Sequence, residues 1–224
     1  MGKWGSVLCV GLVVSLGLSA CSRGKAYEDL NREQARVISN LNQELARLKE
    51  DLDRVRESKG DLEKAKAELE SKLKEELANG GLSVSLGERG LVVTVLDRVL
   101  FDSGKAELKE SAKTTLDKVA SVLQTQVPMH LVYVEGHTDN DPIRHSGWRS
   151  NWELSTARAT EVIHYFIENQ TVKPDRLIAT GFGEFHPVAL NDTLEGKSRN
   201  RRVEIVISPK KLTELGAQNI VRAS

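Results

Sequence analysis

Val134-Glu135-Gly136-His137-Thr138-Asp139-Asn140 closes a short β-rich run that begins at His130, and Asn151-Trp152-Glu153-Leu154-Ser155-Thr156-Ala157-Arg158-Ala159 opens the next periodic segment. The first reads as the end of a strand running into a polar loop. The second starts an amphipathic helix over 151–169, with Leu154, Ala157, Val162 and Phe166 inward. Upstream, 107–123 carries Leu108, Ala112, Leu116, Val119, Ala120 and Leu123 on one helical face. Residues 82–86 alternate and 90–96 are apolar and β-branched, which predicts two paired strands. Downstream, Pro174 ends the helical region, and 176–181 and 202–208 are two further strands. Strands interleaved with two helices predict an α/β sandwich over 82–208, a sheet covered by helices on one face. No function attaches to the tail, 209–224.

Ahead of this domain the composition shifts. From 27 to 78 there is no proline and a single glycine, Gly60, in a background of Glu, Lys, Leu, Arg and Ala. With Leu45, Leu52 and Leu73 at heptad position a, Leu41, Leu48, Val55, Leu62 and Leu69 fall at d. Lys59 and Lys66 then occupy a positions, which weakens the seam and favours a dimer. The earlier set, Tyr27, Leu30 and Val37, fits only with a shift of register near Leu41. The pattern predicts a coiled-coil helix over 27–79, ended by Asn79-Gly80-Gly81. A lone helix cannot bury one narrow stripe, so the simplest reading is a homo-oligomer; the alternative is a monomeric helix held by i,i+4 charge pairs. About 50 helical residues reach on the order of 75 Å, a spacer on the scale of a cell-envelope gap.

The first residues carry the features of an export signal. Lys3 gives a positive start, 7–18 is almost wholly apolar, and Leu18-Ser19-Ala20-Cys21 closes with small residues. The ending resembles a lipoprotein signal peptide, 1–20, with Cys21 as the lipidated (palmitate-type) first residue and 21–26 as a linker. Ser22 after the cysteine resembles the pattern that directs lipoproteins to the outer membrane. An uncleaved anchor is the alternative, because roughly 19 residues between Lys3 and Arg23 suffice to span a bilayer. Both cysteines, Cys9 and Cys21, lie in this stretch, so the folded part has no disulfide framework. With 32 basic and 32 acidic residues the net charge is zero, which argues against nucleic acid as a partner.

The motifs quoted first, with Phe101-Asp102-Ser103-Gly104-Lys105-Ala106-Glu107-Leu108 before them and Asn200-Arg201-Arg202-Val203-Glu204 after, resemble the OmpA-like domain family, over roughly 82–208. The resemblance implies a βαβαβ domain with a mixed sheet, no cofactor, and peptidoglycan as ligand, gripped at the diaminopimelate of its stem peptide. That residue's free end has an ammonium and a carboxylate on one carbon. A site for it needs an anion and a cation a few ångströms apart, and Asp139 and Arg158 resemble the family's pair. Asp139 would accept from the ammonium and Arg158 would present its fork to the carboxylate.

The other candidates are Asn151, Thr138, Asp102, Ser103, Arg201 and Arg202. Asn151 sits where a helix N-cap is expected, and the matching family residue helps hold ligand or loop. Asp139 by itself also suits an Asx turn, and Asp102 and Ser103 suit a turn as well as a site wall. Arg201 and Arg202 alternate along a strand, so both cannot face one ligand. The 141–150 segment is longer than in compact family members. It either rims the cleft, with Trp148 against a sugar, or packs.

Its neighbours, Asn140-Asp141-Pro142-Ile143 and Ser150-Asn151-Trp152-Glu153, look closer to the MotB branch. A MotB-like ion-driven stator, however, needs an intramembrane acid, and 6–20 contains none. An enzyme reading finds no support. His137-Thr138-Asp139 offers two ligand groups without a third at metal spacing, and no nucleophile with its base is identifiable. The expectation is a lipid-anchored protein on the periplasmic face of the outer membrane, tethering it to the wall, with no catalytic or metal site.

Overall fold

The computed structural model describes the backbone of residues 5–209 apart from 145 and 169–171, and side chains from residue 27 onward. The signal peptide and the lipidation at Cys21 therefore concern residues outside those with described side chains, and the tail falls beyond 209. Among the described residues no helix is long and apolar enough to cross a membrane. The chain divides into two compact units, 1–53 and 54–224.

Helix α1, Gly5–Lys72, contributes to both units. In the first, Leu30, Val37, Leu41, Leu45, Leu48 and Leu52 are all about half exposed, an apolar stripe without a cover among the described residues. In the second, the same periodicity has a different outcome. Leu62, Ala65, Leu69 and Leu73 are buried in the core of their own domain. The expected self-association seam thus does not extend through Leu62, Leu69 and Leu73. One stripe can pack against only one surface, and here the domain takes it.

The handover is visible in polar contacts as well. Ser58 Oγ and His130 Nε2 hydrogen-bond at 3.1 Å, Lys72 Nζ donates to Ser121 Oγ at 2.9 Å, and Lys118 Nζ pairs with Glu76 at 2.7 Å. Lys59 and Lys66 are not seam defects in this arrangement. They pair at i,i+4 with Glu63 and Glu70 (3.8 and 2.8 Å), on the side turned from the core. After α2, Lys74–Ala78, Gly80 adopts φ +63 and turns the chain into the sheet, the role expected of a glycine at a helix end.

The sheet is mixed and five-stranded: β1 Leu82–Gly87, β2 Gly90–Leu96, β3 Val132–His137, β4 Leu177–Gly181 and β5 Arg202–Ile207, in the order β1-β2-β5-β3-β4. Only β3 and β4 run parallel; the other neighbours are antiparallel. One face is a continuous apolar surface. Val93, Ile205 and Val134 lie side by side across three strands, and Val95 and Val203 extend the row. Against it pack α4, Glu110–Thr125, and α5, Asn151–Glu168, together with the end of α1. Two helices were expected on this face, and three helical segments cover it. Between the strands lie a short helix α3, Asp97–Leu100, a 3-10 turn Pro174–Arg176, and α6, Leu194–Asn200, none of which the periodicity announced.

All six inward residues expected at 107–123 are buried. In α5 the buried set is Asn151, Leu154, Ser155, Arg158, Ala159, Val162, Ile163 and Phe166, whereas Ala157 is only half-buried and sits on the outer flank. Two glycines set the seat of α5. A Cβ on Gly136 would collide with the carbonyl of Ser155, and one on Gly181 with Thr156 Oγ1. Bare backbone on β3 and β4 lets the helix approach closely, which brings its first two turns beside the loop that follows β3.

Candidate functional site

A cleft of about 1000 Å³ opens where β2, β3 and α6 end and α5 begins. Asp102, Ser103, Thr138, Asp139, Asn151, Arg158 and Arg201 all line it, so seven of the eight candidate residues converge from four separate segments. Arg202 does not. Its guanidinium lies on the other face of the sheet, bonded to Glu204 Oε1 at 2.6 Å and to the carbonyls of Asn200 (3.1 Å) and His186 (3.2 Å). Alternation along β5 decides between the two arginines, and Arg201 is the one that faces the cleft.

Asp139 is buried at the base of the loop after β3 and uses both oxygens. Oδ1 accepts from the amide of Asp141 at 3.1 Å, closing an Asx turn, while Oδ2 is ion-paired with Arg201. The turn role and the cleft role coexist because a carboxylate has two acceptors. Thr138 is buried too; its hydroxyl donates to the Asp139 carbonyl at 2.8 Å, and its amide bonds the carbonyl of Gly183 at 2.9 Å. Asn151 is the first residue of α5, and among the described hydrogen bonds its side chain donates rather than accepts. Its Nδ2 donates to the carbonyls of Asp139 (3.4 Å) and Asp141 (3.1 Å) and to Glu184 (2.6 Å), so it pins the loop to the helix.

Arg158 lies about two turns further along α5 and is almost fully buried. Nε donates to the carbonyl of Lys105 at 2.9 Å, Nη1 pairs with Asp97 at 3.0 Å, and the guanidinium carbon lies 5.2 Å from the centre of the Phe101 ring. Burial depresses its pKa, an effect the Asp97 charge partly offsets. Asp97 was not among the residues singled out from the sequence. It is the first residue after β2, and its amide bonds the carbonyl of Arg201 at 2.9 Å while its carboxylate holds Arg158. Burial pushes that carboxyl up to about 6, against the pull of Arg158 and Arg201. The available signal was an acid directly abutting an apolar strand; the partner that makes sense of it is 61 positions away.

The wall opposite α5 is the 102–106 loop. Asp102 is a rim residue paired with Lys105 and Lys109 at 3.4 and 3.5 Å. Trp148 Nε1 donates to the carbonyl of Gly104 at 3.0 Å, so the long 141–150 segment closes the cleft's edge. Arg201 is placed by α6. Thr193 caps that helix by accepting from the amide of Gly196, and buried Asn200 accepts from the amides of Val188 and Ala189 while donating to the Ala189 carbonyl. In sum, the cleft sets two carboxylates, Asp97 and Asp139, against two guanidiniums, Arg158 and Arg201. This inner quartet is balanced and suited to a ligand carrying both charges, while the rest of the lining adds Asp102 and Asp141 beside Arg98, Lys105, Lys109 and Arg144.

His137 is turned away from this cleft. It lies on the sheet's other face, stacked on Phe182 at 5.1 Å, with neither ring nitrogen hydrogen-bonded among the described residues. Burial, reinforced by the charge of Arg202, lowers its pKa to about 4. Glu135, His137 and Glu204 are close enough to hold a metal ion. Arg89 already pairs with both carboxylates and Arg202 with Glu204, so the cluster's charge is balanced without one.

The comparisons with known proteins agree with this geometry. The OmpA family model matches residues 100–201. Motility protein B of Bacillus subtilis is 36% identical over 146 residues, 65% of this chain and 56% of the relative. The probable lipoprotein YiaD of Escherichia coli is 38% identical over 140 residues, 62% of this chain and 61% of the relative. The chain therefore spans less than two thirds of the length of these relatives. Among solved structures, the cell wall anchor of the T6SS from Pseudomonas aeruginosa superposes with a TM-score of 0.57 at 34% identity, covering 63% of this chain and 96% of that one. With the domain's five-stranded mixed sheet, its motifs and the paired charges at the base of its cleft, the chain carries a domain of the OmpA family.

Proposed function

We propose that this protein is an outer-membrane lipoprotein that tethers the membrane to the cell wall by holding the stem peptide of peptidoglycan without a covalent bond. The observation that carries the reading is the pairing inside the cleft, Asp139 with Arg201 and Asp97 with Arg158. A diamino acid's free end brings one ammonium and one carboxylate. Asp139 accepts from the ammonium and Arg158 binds the carboxylate, while Arg201 and Asp97 hold these two groups in place when the cleft is empty. Asp139 and Arg158 each have a partner before and after binding, so neither of these two buried charges is stranded along the way.

The lipid on Cys21 holds the membrane end; the several acyl chains of a lipoprotein suffice where a single chain gives only marginal anchoring. The free apolar stripe of α1 joins copies of the chain. A repeating wall polymer then meets several domains at once, which strengthens weak individual contacts through effective concentration. Residues 27–53 supply a helical spacer on the order of 40 Å.

The test is a pull-down of the chain on isolated sacculi, wild type beside Asp139→Ala and Arg158→Ala. Binding lost in both variants with circular dichroism unchanged supports the reading. Wild-type chain that stays in the supernatant refutes it. The similarity to motility protein B favours a second reading, a wall-binding protein anchored in the inner membrane. Separating the two membranes on a density gradient decides between them, because only the first reading puts the protein with the outer membrane.

A further inference from the structure

We propose that a shallow groove on the outer flank of α5, beside the cleft, is a second subsite that takes a pyranose ring of the wall's glycan strand. The inference rests on the wall-binding reading and adds the saccharide to it. The groove, of about 540 Å³, is lined by Trp148, Trp152, Glu153, Thr156, Thr160 and Glu161, with Ala157 as its floor.

Three features define it. Trp152 is 48% exposed, and Phe185, itself 59% exposed, stacks on it with ring centres 5.2 Å apart and planes at 24°. Phe185 does not line the groove; it backs the indole and fixes its orientation. Two large rings kept rigid in water forgo the gain that burial would bring, which marks a surface meant to be covered. The remaining lining is two hydroxyls and two carboxylates. Thr156 and Thr160 donate their protons to carbonyls of the helix, so towards the groove their oxygens accept, as do Glu153 and Glu161. An aromatic wall beneath a rim of acceptors matches a pyranose, which presents a C–H face and donating hydroxyls at its edge. A phosphate or another anion would face the carboxylates of Glu153 and Glu161, with no cationic side chain in the lining.

The third feature is position. Trp148 is tied by its Nε1 to the carbonyl of Gly104 in the cleft wall, and Asn151, in the cleft, directly precedes Trp152. Groove and cleft thus share the 146–152 segment. A polymer whose peptide branch enters the cleft has its sugar backbone beside the groove.

The experiment uses the full chain with three probes: intact sacculi, glycan strands stripped of peptide by an amidase, and a soluble diaminopimelate-containing stem tripeptide. Trp152→Ala is compared with wild type and with Trp152→Phe. The expected results for Trp152→Ala are lost binding to stripped strands, affinity for intact sacculi down about tenfold, and unchanged affinity for the tripeptide. Trp152→Phe should keep most of the sugar binding, which separates a ring-stacking role from a fold defect. The proposal is overturned if wild type ignores stripped strands, or if Trp152→Ala, folded by circular dichroism, stays within about twofold of wild type on sacculi. A wild-type chain that binds stripped strands but not the tripeptide would refute the cleft reading and uphold the groove.

Discussion

Replacing Asp97 with asparagine separates two views of the cleft's buried ion pair. The carboxyl is held at about 6 against an ordinary value of 3.8, with burial outweighing the attraction of Arg158 and Arg201. In the folded chain the ionised form is therefore disfavoured even beside its partner. Because the folded pKa lies above the unfolded one, the stability this group contributes is fully present below pH 3.8 and is lost as the pH rises through about 6. The gap corresponds to on the order of 3 kcal/mol.

Asparagine has the shape of the protonated acid and cannot ionise. At pH 7.5, Asp97→Asn is expected to be as stable as wild type or more so, by up to about 3 kcal/mol; at pH 4 the two should converge. Urea unfolding of both proteins between pH 4 and 8 measures this, and the difference between them cancels every other titrating group. Binding to sacculi should be retained, because Arg158 loses an internal competitor for the ligand carboxylate. If Arg158 instead depends on the Asp97 charge to tolerate burial, the variant would lose about 3–5 kcal/mol at pH 7.5, as broken buried pairs do. That outcome would refute the reasoning and make Asp97 a structural counter-ion.

Three further outcomes are expected. His137, buried and held at about 4, has a folded pKa below its unfolded 6.5, so its contribution to stability is intact above pH 6.5 and declines as the pH falls towards 4; an imidazole titrating near 6.5 by NMR would contradict this. Gly136→Ala should cost about 1–3 kcal/mol in urea unfolding by pushing α5 off the sheet, and should weaken wall binding by displacing Arg158 and Asn151; normal stability and binding would mean that the close approach is not required. Leu69→Ala should destabilise the domain by about 2–5 kcal/mol, whereas half-exposed Leu45→Ala should leave its stability unchanged and reduce only self-association in sedimentation; the reverse result would restore the long seam.

The sequence by itself determined the five strands and the long helices, and it named seven residues that line one cleft. Alternation at 82–86 and short β-rich runs elsewhere gave the strands, and helical periodicity gave α4 and α5 within a few residues, because these signals are local. The motifs around Asp139, Asn151, Arg158 and Arg201 were legible as a constellation, since strand ends and helix starts are where loops expose polar groups. Tertiary structure alone decided the rest. The stripe of α1 looks the same at Leu45 and at Leu69, yet one is half exposed and the other is core, because periodicity says that a face is apolar and not what covers it. Asn151 reads as a cap and instead ties the loop to the helix, a choice made by where the Asp139 and Asp141 carbonyls lie. Asp97 carried no visible partner until β2 and α5 were packed into one domain. Ion pairs are the least legible feature of a sequence, because charge is written at every position while distance is written at none.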